Sequence, residues 1–412
     1  MDRYDILIRR AVLRARPGAA VDVAVADGRI AAIGERLAGR GDAEIDARGG
    51  LVTESCVDPH LHLCKVWTAS MAGDAAMQAY HGAGMAHAAS AIDLAAQVKA
   101  QYHESWITAN ARRAVALAAL HGNLHIRALA DVDTKARLEG VKALLRVRDE
   151  FKGVVEVQVV AFAQDGIVRE PGAAALMGEA MRLGADVVGG IPWIEHSDAD
   201  QAEHIRVCFD LAREFDKDVS MLLDDAGDAS LRTLEAMARA ALARGWQGRA
   251  LAHHCRAMAL YPDEYLGQLI ELLVRARVAV VTDPHTGPLH ARVKALLAAG
   301  ITVCLGQDDI SDAYYPFGRN NMLEVAFLAS HLLWMTGRAE IERLYDMITV
   351  DAAKAINLRN FGLAVGKHAN LVVLDVPDVI EALRWHAPPT HVVSHGRLLD
   401  AATLRKQAGL AA

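Results

Sequence analysis

His60 and His62 stand one residue apart in VDPHLHLCKV, residues 57–66, an otherwise apolar run. On a β-strand, positions i and i+2 face the same way, so the two imidazoles share a face. Two such rings can grip a metal, or they can be chance in a chain with 18 histidines. The pair carries weight only if other strands bring polar groups to the same place. Several apolar runs do end in such groups. His253 and His254 close the run 249–254, and Asp308 and Asp309 follow the run 302–307. Gln164 ends VVAFAQDG, while Asp224 and Asp225 end MLLDDAG. One strand-end His or Asp is usually a satisfied polar group or a helix cap; five strands agreeing point to a built site. A bound divalent metal lowers the pKa of its water from about 15.7 towards about 7. Attack by the resulting hydroxide needs a base near the water and an acid near the leaving atom, which two separate carboxylates can provide.

The elements that must position these groups form an alternating series. Apolar runs that fit buried parallel strands occur near 55–62, 124–130, 156–163, 186–191, 218–223, 249–254, 278–283 and 302–307. Helical patterns lie between most of them, as in KARLEGVKALLRVRDEF, SLRTLEAMARAALARG and LHARVKALLAAG. Eight strands with intervening helices predict a (β/α)8, TIM-like barrel, with chemistry at the carboxyl ends of the strands. The long segment 64–122 must hold helices, ESWITANARRAVALAALHG being the clearest. Both ends of the chain read instead as short strands with turns, Asp27-Gly28 among them. We therefore expect a small β-sandwich domain from residues 1–54 and 360–412, and a catalytic barrel over 55–359.

A net charge of −7 argues against a nucleic-acid partner, and no basic block or bilayer-length apolar run points to a membrane. Five scattered cysteines without a CxxC pair read as reduced thiols, so the expected location is cytoplasmic. No GxSxG elbow supports a serine hydrolase.

The blocks GRIAAIG, LVTESCVDPHLHL, HIRALADVD, QVVAFAQDGI, GADVVGGIP, RALAHHCRAM, CLGQDDISDAYYPFGRNNML and VGKHANLVVLDV run nearly end to end. In order and spacing the chain resembles the amidohydrolase superfamily, in its cytosine deaminase and N-isopropylammelide isopropylaminohydrolase-like branch. The resemblance implies a hydrolase of C–N bonds in a nitrogen heterocycle, and commonly a homo-oligomer. It implies one divalent metal, zinc or iron with manganese as a third candidate. By the same resemblance His60 and His62 are metal ligands, and Asp308 binds metal and takes a proton from the water. His254 orients the hydroxide or joins the metal, and Asp225 stands where a glutamate shuttles protons to the leaving amine. Gln164 and Asp309 face substrate. Trp67, Trp193 and Tyr314 are loop aromatics able to stack on a flat ring, or equally to serve ordinary packing. The binuclear ring-opening branch needs a lysine near the fourth strand, and VVAFAQDG and DVVGGIP have none.

Three positions depart from the family pattern. Leu222 stands where the fifth strand supplies a third histidine ligand, Leu129 replaces a second-strand histidine, and Cys64 replaces an aspartate after HxHL. The metal is then held by His60, His62, Asp308 and a repositioned His254, or Cys64 or Asp224 substitutes as a ligand. For Cys64 a buried thiol is the favoured reading. The alternative is a metal-poor, silent member of the fold that binds a small ligand. If the enzyme is active, the leucines and the shorter Asp225 point away from plain cytosine and towards a larger or N-alkylated ring.

Overall fold

Asn123–Asp131 is buried at all nine positions, as a strand covered on both faces must be. It is one of eight parallel strands in a single ordered sheet, and the computed structural model describes residues 3–71 and 96–410 of the chain. Numbering strands along the chain, β1 to β5 are Arg3–Leu13, Arg16–Ala26, Arg29–Gly34, Arg40–Asp46 and Leu51–Glu54. The barrel strands β6 to β13 are Cys56–Leu61, Asn123–Asp131, Glu156–Phe162, Val187–Gly190, Asp218–Leu223, Ala250–His254, Ala279–Thr282 and Val303–Leu305. They pair in sequence order from β6 to β13, each parallel to the next. All eight coincide with the predicted runs to within a few residues.

The sheet closes at the site itself. The His62 amide donates to the Asp308 carbonyl, and the Asp308 amide to the His60 carbonyl, each at 2.8 Å. These two bonds join the first and last barrel strands, so closing the barrel also places the HxH pair beside Asp308.

Helices run between the strands where an apolar stripe recurs. Glu104–Leu120 buries Ile107, Ala111, Ala114, Val115 and Ala118, and Glu139–Glu150 buries Val141, Leu144 and Val147. Thr233–Ala243 matches the pattern read from SLRTLEAMARAALARG. The helix expected from LHARVKALLAAG covers only Val293–Ala298. The stretch before it is held by tertiary bonds: Arg256 donates to the Leu289 carbonyl, and the Arg292 amide to the Met258 sulfur. Part of the expected helical segment 64–122 lies outside the described residues. Among the described residues, no helix is long and apolar enough to cross a membrane.

The second sheet takes strands from both termini, adding β14 (Leu371–Leu374), β15 (His391–Ser394) and β16 (Arg397–Leu398) to β1–β5. It forks at β1, whose one edge pairs with β4 along Arg3–Arg9 and with β5 at Val12. β5 pairs antiparallel with β14 and so ties the two ends of the chain together. Its inner residues, among them Ile6, Ile8, Val23, Ile45, Leu371 and Val393, form a core separate from that of the barrel. Asp27 and Gly28, at φ +51° and +73°, make the turn between β2 and β3. Gly28 is needed there for space as well as conformation, since a Cβ would sit 3.2 Å from the His395 carbonyl oxygen.

Candidate active site

The strand ends deliver their polar groups through backbone kinks. Asp224, His254 and Asp308 have φ of +48°, +61° and +66°. Non-glycine residues in this region are held there by their surroundings at some energetic cost, and they collect at functional sites. In a regular strand His253 and His254 would face opposite sides. With His254 turned, both rings pack near His60, at centroid distances of 4.5 and 4.8 Å.

Three imidazoles converge on one carboxylate oxygen. Asp308 Oδ1 lies 3.3 Å from His60 Nε2, 3.7 Å from His62 Nε2 and 3.9 Å from His254 Nε2. Bonds of about 2.0–2.2 Å from a tetrahedral zinc would hold neighbouring N/O ligands at roughly 3.3–3.5 Å, so these separations suit one small cation. Two triads have ligand atoms mutually within 4.8 Å: His60, His62 and Asp308, and His60, His254 and Asp283. His60 Nε2 is buried and faces Asp308 Oδ1 at 3.3 Å without a well-formed hydrogen bond, as two donors turned towards one cation would be. Nitrogen and carboxylate donors fit zinc or ferrous iron, so the residues present fit the metal the fold implies.

The electrostatics favour cation binding. Burial, aided by the positive charge of Lys65 and Arg256 respectively, holds His62 and His254 well below the usual imidazole range and leaves their nitrogens free to coordinate. Burial also acts to lower His60, but Asp283 and Asp308 outweigh it and raise the group. For Asp308 burial pushes upward, yet the surrounding imidazoles hold the carboxyl well below its ordinary value. Asp308 Oδ2 accepts from Thr286 Oγ1 at 2.7 Å, and that hydroxyl accepts from Arg256 Nη2 at 2.7 Å. Asp225 accepts from Arg256 Nε at 2.6 Å and lies 3.9 Å from His254 Nε2. Burial pushes its carboxyl up to about 6, against the pull of Arg256.

A cavity opens above these groups at the carboxyl ends of the strands. His62, His254, Asp308, Asp225, Gln164, Asp309, Trp193 and Tyr314 line it, all of them singled out in the sequence. Trp67 is placed elsewhere. Its ring lies beneath the Arg113 guanidinium at 4.6 Å and packs on the core rather than lining the cavity. Lys65, Ile191 and Leu222 complete the lining. Lys65 is a group the sequence reading missed, although it lies three residues beyond His62. Its ammonium donates to Gln164 Oε1 at 3.1 Å and sits 4.5 Å over the Tyr314 ring. A wider hollow lined by Asp218, Arg249 and Phe361 lies at the opposite end of the strands, where this fold builds stability rather than catalysis.

Neither proposed substitute ligand reaches the site. Asp224 accepts from the Thr233 amide and hydroxyl at 2.7 and 2.6 Å and from the Tyr261 hydroxyl at 2.7 Å. It caps the following helix instead. Cys64 accepts from the Asp131 amide at 3.4 Å and packs against Gly140, and burial raises its thiol to about 12.

Residues 43–400 match the model of the amidohydrolase family. The chain belongs to the amidohydrolase family. Among curated proteins, it is 29% identical to N-isopropylammelide isopropyl amidohydrolase of Pseudomonas sp. strain ADP over 398 residues, covering 96% of this chain and 97% of the relative. Among solved structures, 5-methylcytosine deaminase from Klebsiella pneumoniae shares 31% identity and a TM-score of 0.88, covering 96% of this chain and 98% of that one. N-isopropylammelide isopropylaminohydrolase from Burkholderia multivorans shares 26% and a TM-score of 0.83, covering 95% and 97%. The protein is thus an amidohydrolase-type enzyme acting on C–N bonds other than peptide bonds.

In this amidohydrolase the fifth barrel strand still points into the site, with a hydrocarbon side chain. Leu222 lines the cavity with His62 and Asp308, and it packs in one cluster with Leu129, Phe162, Ile191 and Trp193. The cavity lining therefore combines the apolar Leu222, Ile191 and Trp193 with ionisable groups.

Proposed function

We propose that this amidohydrolase cleaves an exocyclic C–N bond of a nitrogen heterocycle larger than cytosine or N-alkylated, using a water activated by one divalent cation. The observation that carries the reading is the convergence of His60, His62 and His254 Nε2 on Asp308 Oδ1. His60, His62 and Asp308 would hold the cation, with His254 closing the set from the other side. When bound, the cation supplies a water of lowered pKa at neutral pH.

The rest is done by side chains of this chain. Asp308 takes the proton released as water adds to the ring carbon, the bifunctional role that the family resemblance assigns it. Asp225, at about 6, exchanges a proton near neutrality and delivers one to the leaving nitrogen as the C–N bond breaks. The products are the oxo-heterocycle and ammonia or an amine. Gln164, Asp309 and Lys65 offer both donors and acceptors to the polar edges of a ring. The Trp193 Nε1 atom is buried without a partner and is free to donate to a substrate acceptor. Leu222, Ile191 and Trp193 offer an apolar substituent a stretch of lining that carries no charge.

The names of the relatives, a deaminase and alkylaminohydrolases, support the same substrate class. We place the enzyme in the cytoplasm, supported by five buried, unpaired thiols. As the resemblance implies, we take it to be a homo-oligomer. A second reading, a metal-poor protein that only binds a ligand, is favoured by one observation, the leucine at the third-ligand position.

Assaying ammonia and amine release from N-alkylated triazines and substituted pyrimidines against cytosine tests the proposal. Turnover of the substituted rings with little on cytosine is expected. Efficient turnover of cytosine would overturn the choice of substrate, and no turnover by metal-loaded protein would favour the silent reading.

A further inference from the structure

Asp283 follows β12 directly and stands outside the ligand set His60, His62 and Asp308. Its side chain is fully buried, and its carboxylate faces the edges of two imidazole rings. Its Oδ2 lies 3.2 Å from His254 Nδ1 and 3.6 Å from His60 Nδ1. The same two rings turn their Nε2 atoms to Asp308. Asp308 and Asp283 therefore sit on opposite edges of one histidine pair. His60 Nδ1 also meets His253 Nδ1 at 2.7 Å, and His253 Nε2 meets Ser220 Oγ at 2.6 Å.

Room for this carboxylate is built in. A Cβ on Gly306 would fall 2.4 Å from Asp283 Oδ1 and 2.7 Å from His60 Cβ, so the last barrel strand passes here only as glycine. The Asp283 backbone is fixed as well, its carbonyl accepting from the Thr286 amide at 3.1 Å.

We propose that Asp283 is a positioning residue: it takes Nδ1–H of His254 in place of the contact that Arg256 Nη2 makes to this nitrogen at 3.3 Å, adds negative charge behind His60, and so commits both Nε2 atoms to the cation. The proposal rests on the metal-dependent reading above. A ring that gives Nε2 to a metal must carry its proton on Nδ1, and carboxylates behind metal-bound histidines fix this tautomer and strengthen the donor. The device offsets the loss of a ligand at Leu222 by tightening those that remain.

The test is zinc affinity, measured by competition with a chromogenic chelator on the full chain and its Asp283→Asn variant. Loss of such a carboxylate typically weakens metal binding by about 10–100-fold, and that loss is expected here. The cobalt-substituted proteins should show the same visible bands, because the ligand set is unchanged. Equal zinc affinity overturns the proposal; altered cobalt bands overturn it in favour of Asp283 as a direct ligand. Zinc-free wild type that takes up no zinc overturns the metal-dependent reading and this proposal together, which separates the two failures. Should the variant not fold, nitrogen NMR of zinc-loaded wild type with labelled histidines decides, with the His254 signal identified by its absence from His254→Gln. A protected Nδ1–H on His254 supports the role, and a proton on Nε2 overturns it.

Discussion

Leu222 shows how much one side chain changes at a metal site. It lines the same cavity as His62, His254 and Asp308, so its position still serves the site while its chemistry does not. Leu222→His should therefore raise zinc affinity at least tenfold in chelator competition; no change would mean that the fifth strand is turned from the cation. Asp225 carries the opposite expectation, since it is retained as an acid. Asp225→Asn should lower kcat by about 10²-fold or more with little effect on KM, the size of effect general acid–base catalysis provides. Asp225→Glu should keep a substantial part of the rate. Steady-state kinetics on the best substrate of the panel checks both. At this scale the sequence displayed His60, His62, Asp308 and the strand-end acids plainly, because each follows an apolar run. Lys65 was hidden because a lysine near a strand end reads as solvated, whereas this one is buried between Gln164 and Tyr314. Asp283 also stood at a predicted strand end, yet no family pattern drew attention to it.

Strand ends and the turns that follow them set the aim of these groups. The eight strands were legible because burial on both faces leaves continuous apolar runs that turn residues interrupt. The kinks at Asp224, His254 and Asp308 were not, since a left-handed φ at Asp or His leaves no mark in composition. The destination of Asp224 turns on such a kink. Neighbouring Asp225 faces the cavity, while Asp224 caps the helix Thr233–Ala243 with both carboxylate oxygens. Asp224→Ala should destabilise the protein by about 1–3 kcal/mol, the cost of a lost cap that leaves Tyr261 and backbone donors unpaired. It should also lower kcat by disturbing Asp225. Denaturant melts and kinetics on the same variant test this; a stable variant with normal kcat would show that the cap does not aim the acid. The short helix Val293–Ala298 was overread for the converse reason, that tertiary bonds from Arg256 and to Met258 replaced its first turn.

The whole molecule is a barrel closed at its own active site, with a second sheet knitting the two ends of the chain together. Closure through His60, His62 and Asp308 concentrates buried acids there, and this has a pH signature. Asp58 is fully buried, and burial raises its carboxyl to about 7 despite bonds from the His60 and Gln307 amides. A carboxyl raised on folding binds its proton more tightly in the native state. Its contribution is complete below the unfolded value near 4 and is lost as pH rises through about 7. Chelator-treated protein should therefore lose stability between about pH 4 and pH 7, by up to a few kcal/mol from this group. Asp58→Asn should flatten that decline in Tm, and an unchanged slope would assign it to other groups. The barrel, the two-ended sheet and the histidine pair could all be read along the chain, since each follows local pattern. The apolar lining needed the fold, because Ile191 and Trp193 follow one strand and Leu222 lies on the next. Everything proposed for this enzyme rests on a cation at His60, His62 and Asp308, so metal content comes first. Elemental analysis of freshly purified wild type and His60→Ala should find about one zinc, iron or manganese per chain in the first and almost none in the second. No metal in either protein, and no uptake when those three ions are added, would contradict a metal-dependent hydrolase.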